Sequence, residues 1–389
     1  MVFHHLDSLG ASDVDEAPKA YRFATVDVLW CYNPAENPVY WQLEARGCDR
    51  PRRPQSAGVL WRCSDSSRLS RSPRLPAVVS TAVIPRDADR VAILVNPKAG
   101  AKAAQPWADR LAELLRKQGF QTESFTDLAA ATSQANQWHA EGRLRTLVGA
   151  GGDGTAAELV NRTVEGVPLT LLPAGNSNLL ARYFHLSRDP KTLCRTIAEG
   201  VVARVDAGAA NGRIFLLMAS CGFDAEVVHR VHARRTGHIS ISSYFKPVAE
   251  VVWSYDYPEI RVHWEGDGEG PPQLSARWLF VFNLPCYGGG FRIAPHADGS
   301  DGLLDVCSLR RGRFWPGLGY VAALLLRQHH RLADWTTHRV RRLRITSEAN
   351  VPYQLDGDPG GFLPLDIQVL PSRLTLVVPE GAVSGPTLG

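Results

Sequence analysis

The chain has 389 residues, 44% hydrophobic and 21% charged, with a formal net charge of +4. That length exceeds one small core and predicts two domains plus an extension, in a chain of ordinary globular composition. The slight charge gives no reason to expect a nucleic-acid partner, no apolar run reaches bilayer-spanning length, and seven cysteines without C-x-x-C spacing fit a reduced compartment rather than a disulfide framework.

Residues 1–86 mix charge, proline, serine and arginine without sustained periodicity. They read as an extension with little rigid structure before Asp87, or as the product of a start codon placed too early. Order begins at Arg90. Val91-Ala92-Ile93-Leu94-Val95 has the form of a buried parallel strand, and Asn96-Pro97-Lys98-Ala99-Gly100 follows as a turn. A helix over about 103–118, a strand at 120–126, a helix at 129–141 and a strand at 145–148 come next. Gly151-Gly152-Asp153-Gly154-Thr155 then leads into a helix. A fourth strand at 169–172 ends in Pro173-Ala174-Gly175-Asn176-Ser177-Asn178, with another helix from Leu179. This alternation predicts a parallel sheet with helices on both faces. The three turns all fall at carboxyl ends of strands, where such sheets bind ligands.

The pattern changes near Arg204. Asn211-Gly212 marks a hairpin between 205–210 and 213–219. Strand-like runs recur at 259–264, 277–283, 303–309, 340–346, 351–355, 366–369 and 374–378, with helical stretches at about 224–235, 240–255 and 314–331. The second half is therefore expected to be mainly antiparallel.

The turn at 151–155 joins a strand, glycines and a helix start, the local chemistry of a phosphate cradle. Asp153 would repel a phosphate unless a cation or a water network stands between them. Thr155 and Glu158 have the spacing of a capping box, which a purely structural helix start would also use. Asn96–Gly100 is not a Walker A loop, since G-x-x-x-x-G-K-[ST] is absent. Gly175-Asn176 sits in a turn rich in amide groups. Asp298-Gly299-Ser300-Asp301-Gly302 offers hard oxygen ligands without EF-hand spacing, and a hairpin loop explains it equally well. Asp356-Gly357-Asp358 could supply a base, or be only an Asp-Gly turn. The helix at 314–331 is strongly apolar and flanked by arginines 310, 311, 313 and 327. Core packing is its expected role, ahead of a membrane-facing one, and His329-His330 reads as a surface or cap feature.

Taken together these landmarks resemble the diacylglycerol kinase catalytic-domain family, in its bacterial lipid-kinase branch, with sphingosine and ceramide kinases as relatives. The matching residues are Asn96-Pro97-x-x-Gly100, Gly151 to Thr155 with Glu158, Leu172-Pro173-x-Gly175-x-x-Asn178, Cys221-Gly222-Phe223-Asp224, Gly289-Gly290 leading to Ala294-Pro295, Asp301-Gly302-Leu303-Leu304-Asp305 and Asp356-Gly357-Asp358. They run from about Arg90 to Pro379. The resemblance implies an α/β ATP-binding domain (87–204), a β-sandwich-like domain with inserted helices (205–379) and a short tail (380–389).

It also implies an ATP- and Mg2+-dependent lipid kinase, cytoplasmic and peripheral at a membrane surface, acting on a hydroxyl such as that of diacylglycerol; a homodimer is compatible with it. ATP would lie among Asn96, Pro97, Lys98, Gly100, Thr126, Gly152, Asp153, Gly154, Thr155, Glu158, Gly175 and Asn176. Asp356 and Asp358 would take the acceptor proton, and Mg2+ would sit on Asp298, Asp301 and the main chain of Leu303. In this reading Asp153 handles metal-bound water, and Glu158 caps its helix and joins the acidic network. Many family members have threonine at 176, aspartate at 179 and glutamate at 358, where this chain has Asn176, Leu179 and Asp358. Those departures keep a non-catalytic nucleotide- or lipid-binding protein as the rival of another class, beside an NAD kinase.

Overall fold

The computed structural model describes residues 20–23, 26–31, 40–44, 82–96, 101–234, 245–264, 273–288 and 291–382. They belong to two compact units, residues 1–70 and 71–389. In the first, β1 (Ala20–Phe23), β2 (Val26–Cys31) and β3 (Tyr40–Glu44) form an antiparallel sheet, with Trp30 opposite Trp41. This sheet departs from the expectation of little rigid structure before Asp87. Its strands are dense in valine, tyrosine and tryptophan, whose strand preference was masked by the arginine- and proline-rich sequence around them.

The second unit opens with β4 (Ala82–Val83), β5 (Arg90–Val95), α1 (Ala101–Lys117), β6 (Gln121–Phe125), α2 (Leu128–Ala140), β7 (Leu144–Gly151), α3 (Asp153–Arg162), β8 (Pro168–Pro173), α4 (Leu179–Tyr183) and α5 (Pro190–Glu199). Strands β5 to β8 pair in parallel in the order β8-β7-β5-β6, as the alternating pattern predicts. Every residue of β7 and β8 is buried. Both faces are covered, which is why these strands read as continuous apolar runs. Leu111 and Leu115 of α1 and Leu193 and Ile197 of α5 pack on one face; Ala131, Ala135 and Trp138 of α2 and Leu159 and Val160 of α3 belong to the core on the other.

The chain continues as β9 (Val201–Ala210), β10 (Arg213–Phe215), β11 (Met218–Gly222), α6 (Phe223–Ala233), α7 (Phe245–Ser254), β12 (Ile260–Trp264), β13 (Gln273–Ala276), β14 (Trp278–Phe282), β15 (Leu304–Leu309), α8 (Phe314–Leu325), β16 (Trp335–Val340), β17 (Arg342–Thr346), β18 (Pro352–Leu355), β19 (Asp358–Phe362) and β20 (Leu365–Val377). The hairpin at Asn211-Gly212 forms with both residues at positive φ, 47° and 84°, joining β9 to β10. Two runs predicted as single strands each split between sheets, 213–219 into β10 and β11 and 340–346 into β16 and β17. The segments 366–369 and 374–378 instead belong to one long strand, β20.

A six-stranded antiparallel sheet runs β16-β15-β14-β11-β18-β19. It packs its apolar face, including Leu279, Val281, Val306 and Leu355, against Ile260, Val262, Leu343, Ile345 and Ile367 of the other sheet. That is the expected sandwich core. The other sheet is larger than expected: β12, β13, β17 and β20 extend the parallel sheet itself, in the order β13-β12-β17-β20-β8-β7-β5-β6, with β9 also paired to β20. The division expected at 204–205 falls inside β9. Strand β20 pairs parallel with β8 near one end and antiparallel with β17 near the other. Between them its ladder with β9 is interrupted, and Pro371, Ser372 and Arg373 face the single residue Asp206. Ser372 takes a φ of 53°, and its N–H donates to the Asp206 carboxylate at 2.7 Å.

Candidate active site

The fold brings the glycine turns into direct contact. β7 and β8 are neighbours, so the turns at their carboxyl ends lie side by side. A Cβ on Gly175 would stand 2.6 Å from the Cα of Gly152, and one on Gly152 would stand 3.1 Å from the Cα of Gly175. Only glycine at both positions lets the two backbones approach this closely. Asn178, in the left-handed region at φ 46°, closes the second turn: its Oδ1 accepts Gly175 N–H at 2.9 Å and its Nδ2 donates to Gly175 O at 2.6 Å. Asn96, at the end of β5, donates through Nδ2 to Thr155 Oγ1 at 3.0 Å and ties the third turn to the central one. Pro97, Lys98 and Gly100 lie outside the described residues. Thr126 is exposed at the carboxyl end of β6, and Asn176 is exposed on the turn after β8. The helix N-terminus at Asp153-Gly154 directs main-chain N–H groups toward the same edge.

Asp153 has a structural task that the sequence reading missed. Helix α3 begins at Asp153 itself, and the Asp153 side chain reaches the next helix: Oδ2 accepts Leu179 N–H and Oδ1 accepts Leu180 N–H, both at 2.9 Å. It therefore caps α4. Burial raises its pKa, and those two N–H donors oppose the rise. The capping box does not form. Gly152 is the N-cap, so Thr155 is already inside the helix, and Glu158 lies beyond its first turn with its carboxylate 3.3 Å from Arg162 and 3.9 Å from Arg213. Glu158 thus belongs to a basic surface, not to the acidic cleft.

The late Asp-Gly-Asp motif sits across from the central turn. Asp356-Gly357 is a two-residue turn between β18 and β19, with φ of 52° and 90°. The Asp356 carboxylate faces three main-chain donors: Oδ2 accepts Leu216 N–H at 2.7 Å, and Oδ1 accepts Leu217 and Met218 N–H at 2.8 and 3.0 Å. Burial nevertheless pushes its pKa up to about 6, with the negative charge of Asp153 adding to the rise. Asp358 is half-exposed. Its Oδ2 would stand 3.6 Å from a Cβ on Gly154, and its Oδ1 is 3.7 Å from His232 Nε2. Gly357 is pinned from both sides: its N–H donates to Gln354 Oε1 at 2.7 Å, and its carbonyl meets His232 Nε2 at 3.1 Å. Gln354 also bonds to Asp224, which accepts hydrogen bonds from Ser220 and Tyr287. The motif at 221–224 therefore holds the late turn in place.

Several neighbours of the cleft had no local signal in the sequence. Cys286, on the segment after β14, is flanked electrostatically by Asp153, Arg292, Arg182 and Asp356; burial pushes its thiol up to about 12, so it stays neutral. Arg182, one turn into α4, and Arg292 are exposed cations facing this group. His232 is found only once α6 is packed beside β18.

The expected metal loop lies farther along. Asp298 Oδ1 accepts Ser300 N–H at 3.1 Å and Ser300 Oγ–H at 2.6 Å; Asp301 Oδ1 accepts Leu303 N–H at 2.9 Å, and Asp301 Oδ2 pairs with the guanidinium of Arg339. No group of three or more His, Cys, Asp or Glu side chains among the described residues is arranged to hold a metal ion. In this arrangement Arg339 supplies positive charge at Asp301 Oδ2, and protein donors engage Asp298 Oδ1 and Asp301 Oδ1; a hard cation here would be held by the Asp298 and Asp301 carboxylates with the main-chain oxygen of Leu303. Asp305 lies nearby with Oδ2 buried and unpartnered, and burial raises its pKa to about 6. The alternation of acids and glycines at 298–305 gave no sign of Arg339, which pairs with Asp301 from β16.

Residues 90–210 match the Diacylglycerol kinase catalytic domain, and residues 218–378 match the YegS C-terminal NAD kinase beta sandwich-like domain. The chain belongs to the diacylglycerol kinase catalytic-domain family. Among curated relatives, the diacylglycerol kinase of Bacillus subtilis (strain 168) is 25% identical over 301 residues, covering 75% of this chain and 97% of the relative. That of Staphylococcus carnosus (strain TM300) is 24% identical over 297 residues, covering 75% and 95%. A solved diacylglycerol kinase structure from Bacillus anthracis str. Sterne superposes with a TM-score of 0.54 at 17% identity, over 76% of this chain and 98% of that one. This last likeness carries the fold alone. None of the described helices is long and apolar enough to cross a membrane.

Proposed function

We propose that this chain is an ATP-dependent lipid kinase that transfers the γ-phosphoryl group to a lipid hydroxyl such as that of diacylglycerol, giving phosphatidic acid. The observation that carries this reading is the approach of Asp358 to Gly154 beside a buried Asp356, two motifs some two hundred residues apart in the chain meeting at one cleft. The glycine turns and Asn96 form the nucleotide side. The helix start at Asp153-Gly154 offers N–H groups to phosphate oxygens, and Arg182 and Arg292 add positive charge. Mg2+ arrives with the nucleotide as part of the substrate. Asp356 is the base: Oδ2 accepts one main-chain donor and keeps a lone pair for the acceptor hydroxyl, and a pKa of about 6 suits proton transfer near neutrality. The hydroxyl oxygen attacks the γ-phosphorus as the bond to the β-bridging oxygen breaks; the proton passes to Asp356 and ADP leaves. Asp358, one methylene shorter than the glutamate many relatives carry, orients the acceptor beside His232.

The test is labelled ATP supplied with purified diacylglycerol, a ceramide, a long-chain base and NAD, with products identified by mass. Phosphatidic acid should form, and Asp356→Asn should lower its rate by about 10²-fold or more. Unchanged transfer in Asp356→Asn removes that residue from the chemistry. ATP binding without transfer to any acceptor makes the protein a non-catalytic binder, and transfer to NAD alone makes it an NAD kinase.

A further inference from the structure

Helix α8 is apolar on all sides and covered on only one. Its sequence is FWPGLGYVAALL. Gly317, Tyr320 and Ala323 face inward, Gly317 against the ring of Tyr257 and Tyr320 beside Trp278. Tyr320, the helix's one polar side chain, bonds inward to Asp334 and the main chain of Arg311. The opposite stripe carries Trp315, Leu318, Ala322 and Leu325, all exposed, and Leu326 follows at the C-terminus. Trp315 is 76% exposed and Leu326 62%. Trp253, at the end of α7 and 77% exposed, extends the patch, its ring set edge-on to Phe314 at 5.1 Å. A helix apolar all round is ordinarily buried all round. The expectation that core packing accounts for this stretch therefore holds for only half of the helix.

The rim around α8 is predominantly basic, with Asp334 next to it and Glu250 and Asp256 to either side of Trp253. Residues 310–333 contain five arginines, two histidines and no acid. Arg310, Arg311, Arg313, Arg327 and Arg331 are all exposed. Among the described residues only Arg311 has a carboxylate within ion-pair reach, Asp334 at 3.9 Å. Exposed tryptophans and leucines inside an arginine rim match the apolar and anionic layers of a bilayer surface. A second copy of this chain fits poorly, since a symmetric pairing would set arginine rims against each other. The C-terminal end of the helix is tied toward the cleft: buried His329 bonds through Nε2 to Ile293 O at 2.9 Å, on the segment that leads from Cys286 to Asp298.

We infer that α8 with Trp253 is the surface by which this protein docks on an anionic lipid bilayer. It rests on the lipid-kinase reading for its purpose, though the docking can be measured without it. The experiment is co-sedimentation of the full chain with vesicles of phosphatidylcholine, and of phosphatidylcholine with phosphatidylglycerol, in the absence of ATP. Wild type should bind the anionic vesicles and bind more weakly as salt rises. Each arginine near the surface is worth about fivefold in partitioning, so R310E/R313E/R327E should lower it by about 10²-fold or more. Trp253→Ser with Trp315→Ser should lower it by at least about tenfold. These side chains are exposed, and an unchanged melting temperature confirms that the variants fold. Transfer to a short-chain diacylglycerol in detergent should be unaffected in both variants. Binding equal to wild type in both variants overturns the docking surface. So does a wild-type dimer that the tryptophan variant dissociates while vesicle binding persists. Vesicle binding lost in both variants supports the surface even if no phosphoryl transfer is ever seen, an outcome that overturns only the kinase reading.

Discussion

Gly175→Ala tests the contact between the two glycine turns on which the nucleotide site depends. The new methyl would stand 2.6 Å from Gly152 Cα and 2.9 Å from Asn178 Oδ1. Carbon atoms settle at roughly 3.5–4.0 Å, so the turns must separate by about 1 Å. The nearest obstacle is backbone, held by β7 and β8, and cannot swing aside as a flexible side chain would. Overpacking of this kind costs about 1–3 kcal/mol, which leaves the chain folded with a lower melting temperature. Positioning is more sensitive: a displacement of about 1 Å slows a positioned transfer by about 10²-fold. Thermal unfolding should therefore show a modest loss, while isothermal titration with ATP and the lipid kinase assay show a large one. Gly319→Ala is the control, because a Cβ there meets nothing within 4 Å. Wild-type ATP affinity and rate in Gly175→Ala would refute the claim that the turns jointly form the site.

The rate of phosphoryl transfer should rise with pH through about 6, since Asp356 acts ionised and burial holds its pKa near that value. Asp305 has a similar pKa but lies outside the cleft, so Asp305→Asn should leave that limb in place. A limb that disappears with Asp305→Asn assigns it to the wrong carboxylate. Asp153→Asn should destabilise the protein by about 1–3 kcal/mol, because an amide in place of the carboxylate leaves one of the two α4 N–H groups facing another donor. Urea unfolding measures this, and an unchanged midpoint would show that the cap contributes nothing.

The parallel half was legible in the sequence because burial on both faces writes strands as apolar runs, and turns at their ends write themselves as glycine and asparagine. The second half was harder to read. Val340, Arg341 and Arg342 pass from one sheet to the other without a turn residue, so two strands looked like one. The bulge at Pro371–Arg373 made one strand look like two. At the site, the residue types were readable but their partners were not. Asp153 was identified as an anomaly beside a phosphate turn, yet the donors that explain it, Leu179 and Leu180 N–H, belong to main chain and carry no sequence signature. Arg339 answers Asp301 from a strand 38 residues away, a pairing that only the β15–β16 register creates.

Strand β20 has a consequence for how the cleft can move. Two bodies joined by a linker can swing about it, but here a single strand is laced into the nucleotide half through β8 and into the sandwich half through β17. The ladder of that strand with β9 is interrupted at the bulge of Pro371, Ser372 and Arg373. Asp206 grips it from one side while also holding Gly302 N–H at 2.7 Å, and the Arg373 guanidinium grips the far end of α3 through Val160 O and Thr163 O. The acidic loop and the phosphate helix are thereby fastened to the same three residues of one strand, so a change in that bulge reaches both walls of the cleft.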